Sequence, residues 1–295
     1  MIRLVTVIGH GTNLLPHFIK HYQKQVDEIN IVVYKSDLYP NLDKDVEKII
    51  LNYPKVKITN VEYFRVFDWN MVTILYNKEK TKHVDDWWVV ADIDEFQLYP
   101  FNNIRAMLSE CDNNGWELIR GGFIDRVGEN GEFPEILPDI SLFKQFPNLG
   151  FFRYPMSDAC PNKVCIMKGH VEITSGQHYA KINGNTTWGW QGWNNPLIAP
   201  YNKYSVQVHH FKWDKTCIDR IKSVADINEE YAWSREYQIM YDGLKKSNFK
   251  VDITNPQYMF EHNENPIYGD YKHWNKLITK IISILQQNKK KECLN

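Results

Sequence analysis

Two clusters of residues in this 295-residue chain could do chemistry. The first closes the run Trp87 to Phe96, WWVVADIDEF. Trp87, Trp88, Val89, Val90 and Ala91 are bulky and apolar, the composition of a strand buried on both faces. Asp92, Asp94 and Glu95 follow at once. In extended chain, residues two apart share a side. Asp92 and Asp94 are therefore expected to set two carboxylates side by side at the carboxyl end of a core strand, where open α/β sheets hold ligands. Two carboxylates that close repel, and a divalent cation that accepts both removes the conflict. Oxygen-only ligands suit Mg²⁺ or Mn²⁺, which commonly hold substrate phosphates as well. The competing reading is an acidic strand end that is merely solvated. The apolar run argues against it, because it fixes the acids at the mouth of a core strand.

The second cluster is YSVQVHHFKW, Tyr204 to Trp213. As a strand it sets Val206, Val208, His210 and Lys212 on one face, and Ser205, Gln207, His209 and Phe211 on the other. His210 could add an imidazole ligand to the metal, and Lys212 could neutralise a phosphate oxygen. A structural histidine is the alternative.

The elements before these clusters alternate. Arg3 to Gly9 reads as a strand, and Gly9 to Asn13 as a turn with Asn13 as N-cap. Leu14, Leu15, Phe18, Ile19 and Tyr22 recur at helical spacing. Ile29 to Tyr34 is a second strand, Asp43 to Leu51 a helix, Val56 to Tyr63 a third strand and Trp69 to Tyr76 a third helix. Ile104 to Cys111 is helical, ended by Asn113, Asn114 and Gly115, and Trp116 to Gly121 is extended. Such alternation predicts an α/β fold with a parallel sheet and right-handed crossovers. From Gly122 to Pro200 it stops, and Gly, Pro, Asn and aromatic residues dominate around short strands such as Lys163 to Met167. Helices are expected near Ile218 to Val224, over Ser234 to Leu244 and, amphipathic, over Trp274 to Leu285.

Composition narrows the function. The net charge is −1, so no basic field points to nucleic acid. Five scattered cysteines (111, 160, 165, 217 and 293) lack zinc-type pairing and suit reduced thiols in a cytoplasmic setting. No stretch reads as a signal peptide or as an apolar run of about 18 residues, so no transmembrane anchor is expected. Lys289, Lys290 and Lys291 form a basic tail. It is either solvated or a weak peripheral contact to an anionic membrane.

Asp92-Ile93-Asp94-Glu95-Phe96 resembles the DxD motif of GT-A glycosyltransferases, in the D-x-D-E-F form of family-2-like and family-92-like enzymes. The resemblance extends to the L-x-x-F-x-x-H-Y pattern at Leu15 to Tyr22 and to DRVGENG at Asp125 to Gly131. KQFP at Lys144 to Pro147, G-x-H-Y at Gly176 to Tyr179 and HHFKW, where His210 matches the family histidine best, complete it. It covers roughly Val5 to Leu244. It implies a single GT-A domain with a Rossmann-like nucleotide-sugar-binding half over 1–125. A loop-rich, partly antiparallel acceptor half over 126–250 and a helical extension over 251–295 follow. It also implies transfer from a nucleotide sugar, most often a UDP-sugar, to a glycan or other hydroxyl acceptor. In it, Thr12 and Asp37 hold the nucleoside, Asp92 and Lys212 hold the donor, and Asp92, Asp94 and His210 hold Mn²⁺ or Mg²⁺. An inverting enzyme needs a carboxylate base, for which Asp125 is the first candidate and Glu129 and Glu172 are rivals. For Asp125 the alternative is an ion pair with Arg126. Another metal–phosphate enzyme such as a nucleotidyltransferase shares the sheet and the carboxylates, but usually shows a Gly-rich, basic first loop, and His10 to Asn13 is not basic. A non-catalytic sugar-binding protein with a Ca²⁺-bound DxD is the third reading.

Trp188, Trp190 and Trp193, in TTWGWQGWNNP, sit among flexible neighbours and are expected to offer rings to an acceptor sugar. Loss of one ring should then cost about 1–2 kcal/mol, roughly five- to thirty-fold in kcat/KM for the acceptor, with nucleotide affinity and melting temperature unchanged. A large fall in melting temperature with normal acceptor kinetics would instead make these core residues.

Overall fold

The computed structural model describes residues 1–258 apart from 66, 101–102, 158, 188–194 and 228–231, together with 279 and 283. Trp188, Trp190, Trp193, Lys289 to Lys291 and Cys293 lie outside the described residues. So does the expected final helix, except for Thr279 and Ser283, which are helical. The chain divides into two compact units. The first takes Met1–Gly122 and Asn162–Val208, the second Phe123–Pro161 and the chain over 209–258.

The first unit begins as the alternation predicts: β1 (Ile2–Ile8), α1 (Leu15–Tyr22), β2 (Glu28–Lys35), α2 (Leu42–Ile50), β3 (Val56–Tyr63), α3 (Trp69–Lys80), β4 (Trp87–Val90). β1 pairs in parallel with β2 and with β4, and β2 with β3. β5 (Glu95–Leu98), α4 (Ile104–Asn114) and β6 (Leu118–Val127) follow. α4 is capped by the Asn103 side chain and stopped by Gly115 at φ 69°. The second unit then contributes α5 (Leu142–Gln145), β7 (Asn148–Gly150) and α6 (Arg153–Ser157). The chain returns to the first with β8 (Asn162–Lys168), β9 (Glu172–Ile173), β10 (Ala180–Ile182), β11 (Asn185–Thr187) and α7 (Tyr201–Tyr204). β12 (Val206–His210) leads back to the second unit, which ends with α8 (Cys217–Ala225) and α9 (Ala232–Lys246).

The main sheet runs in the order β3-β2-β1-β4-β8-β6-β12-β5, and β8 is antiparallel to both β4 and β6. This is an α/β architecture with a parallel, Rossmann-like first part and an antiparallel continuation, consistent with a GT-A fold. β9, β10 and β11 make a separate antiparallel sheet. Val5, Val7, Trp88 and Val90 pack with Val72, Leu75 and Tyr76 of α3 in one core. The alternate residues Leu4 and Ile8 are buried as well, so β1 is covered on both faces.

The sheet must curl. Three strands stand between β4 and β5 in the order, yet only residues 91–94 join them. Laid flat, that separation is about 19 Å. Five fully extended Cα steps reach at most about 18 Å, and these residues turn. Gln97 Nε2 spans the closure, donating to the Val90 carbonyl at 2.7 Å.

Three expectations are corrected. Asn13 is exposed and does not cap α1, which starts after Leu14 with no side-chain cap. The strand of WWVVADIDEF ends at Val90, and 91–94 turn, so Asp92 and Asp94 are not alternate residues of one strand. The strand of the HHFKW element ends at His210, so its two-face alternation does not extend to Lys212, and Tyr201–Tyr204 is helical.

α1 holds β5 in place. Tyr22 Oη donates to the Glu95 carbonyl at 2.9 Å and accepts from Gln97 N at 2.8 Å, while His21 Nε2 meets the Gln97 carbonyl at 2.9 Å. Enclosure beside Tyr22 and Phe96 pushes the His21 imidazole down to about 4, so the neutral ring donates from Nε2. An unfolded His21 takes up its proton near pH 6.5, so stability should fall as pH drops from about 6.5 towards 4, where the folded chain binds fewer protons. His21→Gln, whose amide still donates to that carbonyl, should lose this part of the slope. Urea midpoints at about pH 7 and about pH 5 check it, and equal pH slopes in both proteins would remove His21 from the account.

Candidate functional site

In the first unit the carboxyl ends of β1, β2 and β4 carry the candidate residues Thr12, Asp37, Asp92 and Asp94. β2 and β3 lie on one side of β1 and β4 on the other, so the β1–β4 boundary is the topological switch point of the parallel strands. Thr12 follows β1, in a turn where Gly11 has φ +76° and a Cβ would stand 3.4 Å from Ile93 Cγ2. Asp37 follows β2. It is exposed, accepts from Tyr63 Oη and lies 3.8 Å from Arg65 Nε. His10 and Tyr39, from the same two connections, have ring centroids 6.4 Å apart.

Asp92 to Glu95 form a closed turn. Glu95 N donates to the Asp92 carbonyl at 2.9 Å, and Asp92 N donates back to Glu95 Oε2 at 3.1 Å. This reciprocal pair explains why the acidic stretch does not continue β4. Three side chains from elsewhere then fix Asp92. Tyr76 Oη, on the core face of α3, donates to Oδ1 at 2.7 Å and accepts from Val7 N at 3.2 Å. Gln177 Nε2 donates to Oδ1 at 3.1 Å. Lys163 Nζ lies 3.3 Å from Oδ2, 2.6 Å from Glu95 Oε1 and 3.4 Å from the Gly176 carbonyl. Burial pushes the Asp92 carboxyl up most strongly and Asp94 adds to it, but the Lys163 ammonium and the hydrogen bonds from Tyr76 and Gln177 together hold the group below its ordinary value. Asp94 itself is half-buried.

Gln177 is buried with φ 56°, next to Gly176 at φ 71°. A buried side chain on left-handed backbone that reaches an acidic turn is the kind of local strain that functional sites retain. Neither Lys163 nor Gln177 stands out in the sequence as a contact of Asp92. The available signals are a charge at the head of the apolar stretch KVCIM and the central polar residue of G-x-H-Y.

Asp125, His210 and Lys212 belong to the second unit. Asp125 is buried and does not pair with Arg126, its neighbour in β6, whose side chain goes to His209. Its Oδ1 meets His210 Nδ1 at 3.4 Å and Trp213 Nε1 at 3.2 Å, and its Oδ2 accepts from Phe152 N and Arg153 N at 3.2 and 3.1 Å. Burial raises this carboxyl, but the His210 hydrogen bond and charge, with Arg153, bring it below its ordinary value. Lys212 Nζ donates to Tyr237 Oη at 2.7 Å. Of the rival bases, Glu129 is exposed at the end of β6, and Glu172, in the first unit, pairs with Lys181 at 2.6 Å. Among the described residues, no group of three His, Cys, Asp or Glu side chains could hold a metal ion, no helix is long and apolar enough to cross a membrane, and the four cysteines form no disulfide.

No protein-family model matches the chain, and no curated protein sequence is similar to it. Among solved structures, a mannosyltransferase from Pyrobaculum calidifontis in complex with GDP-Man and Mn²⁺ is 9% identical, over 97% of this chain and 86% of that one, at a TM-score of 0.39. A 4-diphosphocytidyl-2C-methyl-D-erythritol synthase is 16% identical over 57% and 75%, at 0.29. A putative glucose-1-phosphate thymidylyltransferase from Bacillus anthracis in complex with a sucrose is 12% identical over 83% and 84%, at 0.28. Likenesses this distant say nothing of the activity of this chain.

Lys163 should carry much of the order of the acidic turn. Lys163→Met leaves Glu95, 2% exposed, and Asp92 without their ammonium, and should cost about 3–5 kcal/mol near neutral pH. The loss should shrink in acid, as both carboxyls take up protons. Adding Glu95→Gln should recover part of it. Denaturant unfolding of the single and double variants checks this, and an unchanged midpoint in Lys163→Met would dismiss the role.

Proposed function

We propose that this chain is a divalent-cation-dependent glycosyltransferase using a nucleotide-sugar donor. The observation that carries the reading is the placement of Asp92. It stands at the carboxyl end of β4, on the switch point of the parallel strands, held by Tyr76, Gln177 and Lys163 beside the half-buried Asp94.

The donor set fits a cation that arrives with its substrate. Asp92 and Asp94 offer carboxylate oxygen only, and Mg²⁺ and Mn²⁺ are commonly bound through one or two carboxylates, with phosphates and water completing the shell. When bound there, the cation would neutralise charge on a departing diphosphate. The residues around it have separate tasks. Tyr76, Gln177 and Lys163 keep the Asp92 carboxylate ionised and oriented. Thr12 and Asp37, after β1 and β2, are the candidates for the nucleoside.

His210 is here read as a base and not as a metal ligand, and it is positioned by Asp125, the first candidate for the acceptor base. With two donors on each oxygen, it would act instead through His210: its Oδ1 holds the proton on Nδ1, so that Nε2 can accept a proton from an acceptor hydroxyl. The absence of Lys and Arg from His10 to Asn13 favours glycosyl over nucleotidyl transfer.

Asp94→Asn should abolish Mn²⁺-dependent UDP binding without lowering the melting temperature, because Asp94 is half-buried in a turn. Calorimetry with UDP, with and without Mn²⁺, reads the first. Unchanged affinity in the variant would sink the assignment. Products separate the reaction classes: a nucleoside diphosphate released from a nucleotide sugar supports sugar transfer, and pyrophosphate formed from a nucleoside triphosphate and a sugar phosphate means nucleotidyl transfer.

A further inference from the structure

Among the described residues, Arg126 is a buried cation with no acidic partner. It lies near the end of β6, opposite Leu149 of β7. Its Nε donates to His209 Nδ1 at 3.0 Å. Its Nη1 reaches only the carbonyl oxygens of Phe146 and Pro147, each at 3.4 Å. Its Nη2 is buried and has no hydrogen-bond partner among the described residues. A guanidinium nitrogen only donates, so His209 Nδ1 accepts and the imidazole is neutral. The Phe143 ring lies 5.0 Å from the guanidinium carbon. Burial lowers the Arg126 pKa to about 10, with no carboxylate acting against it.

The same unit treats its other enclosed arginines differently. Arg153 has Glu236 at 3.3 Å and the charge of Asp125, and Arg220 has Asp214 at 3.2 Å. Asp125 precedes Arg126 in β6, and its carboxylate is already committed to His210, Trp213 and two backbone amides. A buried charge without a counter-charge is costly, and an unsatisfied buried donor calls for a specific cause, of which an absent ion is one. The planar fork of arginine matches carboxylate and phosphate oxygens.

We infer that Arg126 anchors an anion site in the second unit, taking a carboxylate or phosphate group through the outer edge of its guanidinium, under the Phe143 ring. Phe143 is half-buried and sits on the one-turn helix α5. The Gln145 side chain bonds Leu137 N and the Leu137 and Ile140 carbonyls at 2.6–3.0 Å and so holds the backbone around Phe143, whose ring packs edge-on against His209 and Phe211. The site needs neither a cation nor a nucleotide and goes beyond the proposed transfer reaction. The competing account is a guanidinium satisfied by the Phe143 face and two long carbonyl contacts.

The test uses the full chain without nucleotide or divalent metal. Melting temperature is measured at constant ionic strength in sodium chloride, inorganic phosphate and glucuronate. Wild type should rise by roughly 2–5 °C once phosphate or glucuronate exceeds its Kd about tenfold, and Arg126→Gln should show no rise. A response to phosphate alone assigns a phosphate-bearing ligand, and one to glucuronate alone an acidic one. If Arg126→Gln does not fold, Phe143→Ala, which keeps the guanidinium and removes its cover, should bind the same anion at least as tightly by calorimetry. No response of wild type to either anion, in melting or in calorimetry, overturns the inference. So does an equal rise in Arg126→Gln, which would mean an adventitious ion only.

Discussion

One ammonium group organises the acidic turn. Lys163 is buried, and its three donors go to Glu95, Asp92 and the Gly176 carbonyl. Two enclosed carboxylates three residues apart would repel without it, and one would be held neutral. With it, Glu95 can reach back to Asp92 N and close the turn. The closed turn lets β5 leave β4 for the far end of the sheet order, and Tyr22, His21 and Gln97 secure β5 there. The pair is not a device for maximal stability, since enclosed ion pairs often do no better than apolar packing. What it fixes is a conformation: an Asp92 that stays ionised at the mouth of the parallel strands.

The second unit sets two neighbouring residues of one strand in opposite circumstances. Asp125 has two donors on each oxygen, whereas Arg126 has a neutral imidazole, two long carbonyl contacts and an idle Nη2. Alternation in β6 turns them to opposite faces, so they cannot neutralise each other despite being adjacent. Sequence proximity of opposite charges is a poor guide to pairing inside a strand.

Much of the first 120 residues was legible. β3 spans the residues read from its pattern, α3 begins where expected at Trp69, and Gly115 ends α4. These depend on local periodicity and punctuation. The DIDE turn was not legible as a turn, because the residue that stabilises it, Lys163, comes some seventy positions later. β5 was hidden for a related reason: EFQL is only four residues long and looks like the tail of the preceding strand. In β12 every residue is buried, so the period of two that distinguishes faces carries no solvent signal, and its end at His210 could not be seen. Asp92 and Asp94 stood out as candidates because they follow such an apolar run directly. Gln177 was not, because its distinguishing feature is a backbone angle.

The place of β12 in the sheet has a consequence for assembly of the chain. β5 ends at Leu98, and its sheet neighbour β12 begins at Val206. The ribosome must therefore supply more than a hundred further residues before β5 gains that neighbour. Until then the β5 edge is open, and an open edge can pair with another nascent chain. The early stretch β1 to β3 consists of short-range parallel units able to form as they emerge, whereas closure waits on a contact of long sequence separation, the kind that slows folding. This protein is thus expected to collapse early in its first half and to reach its native sheet late, with β12 as the strand that completes it.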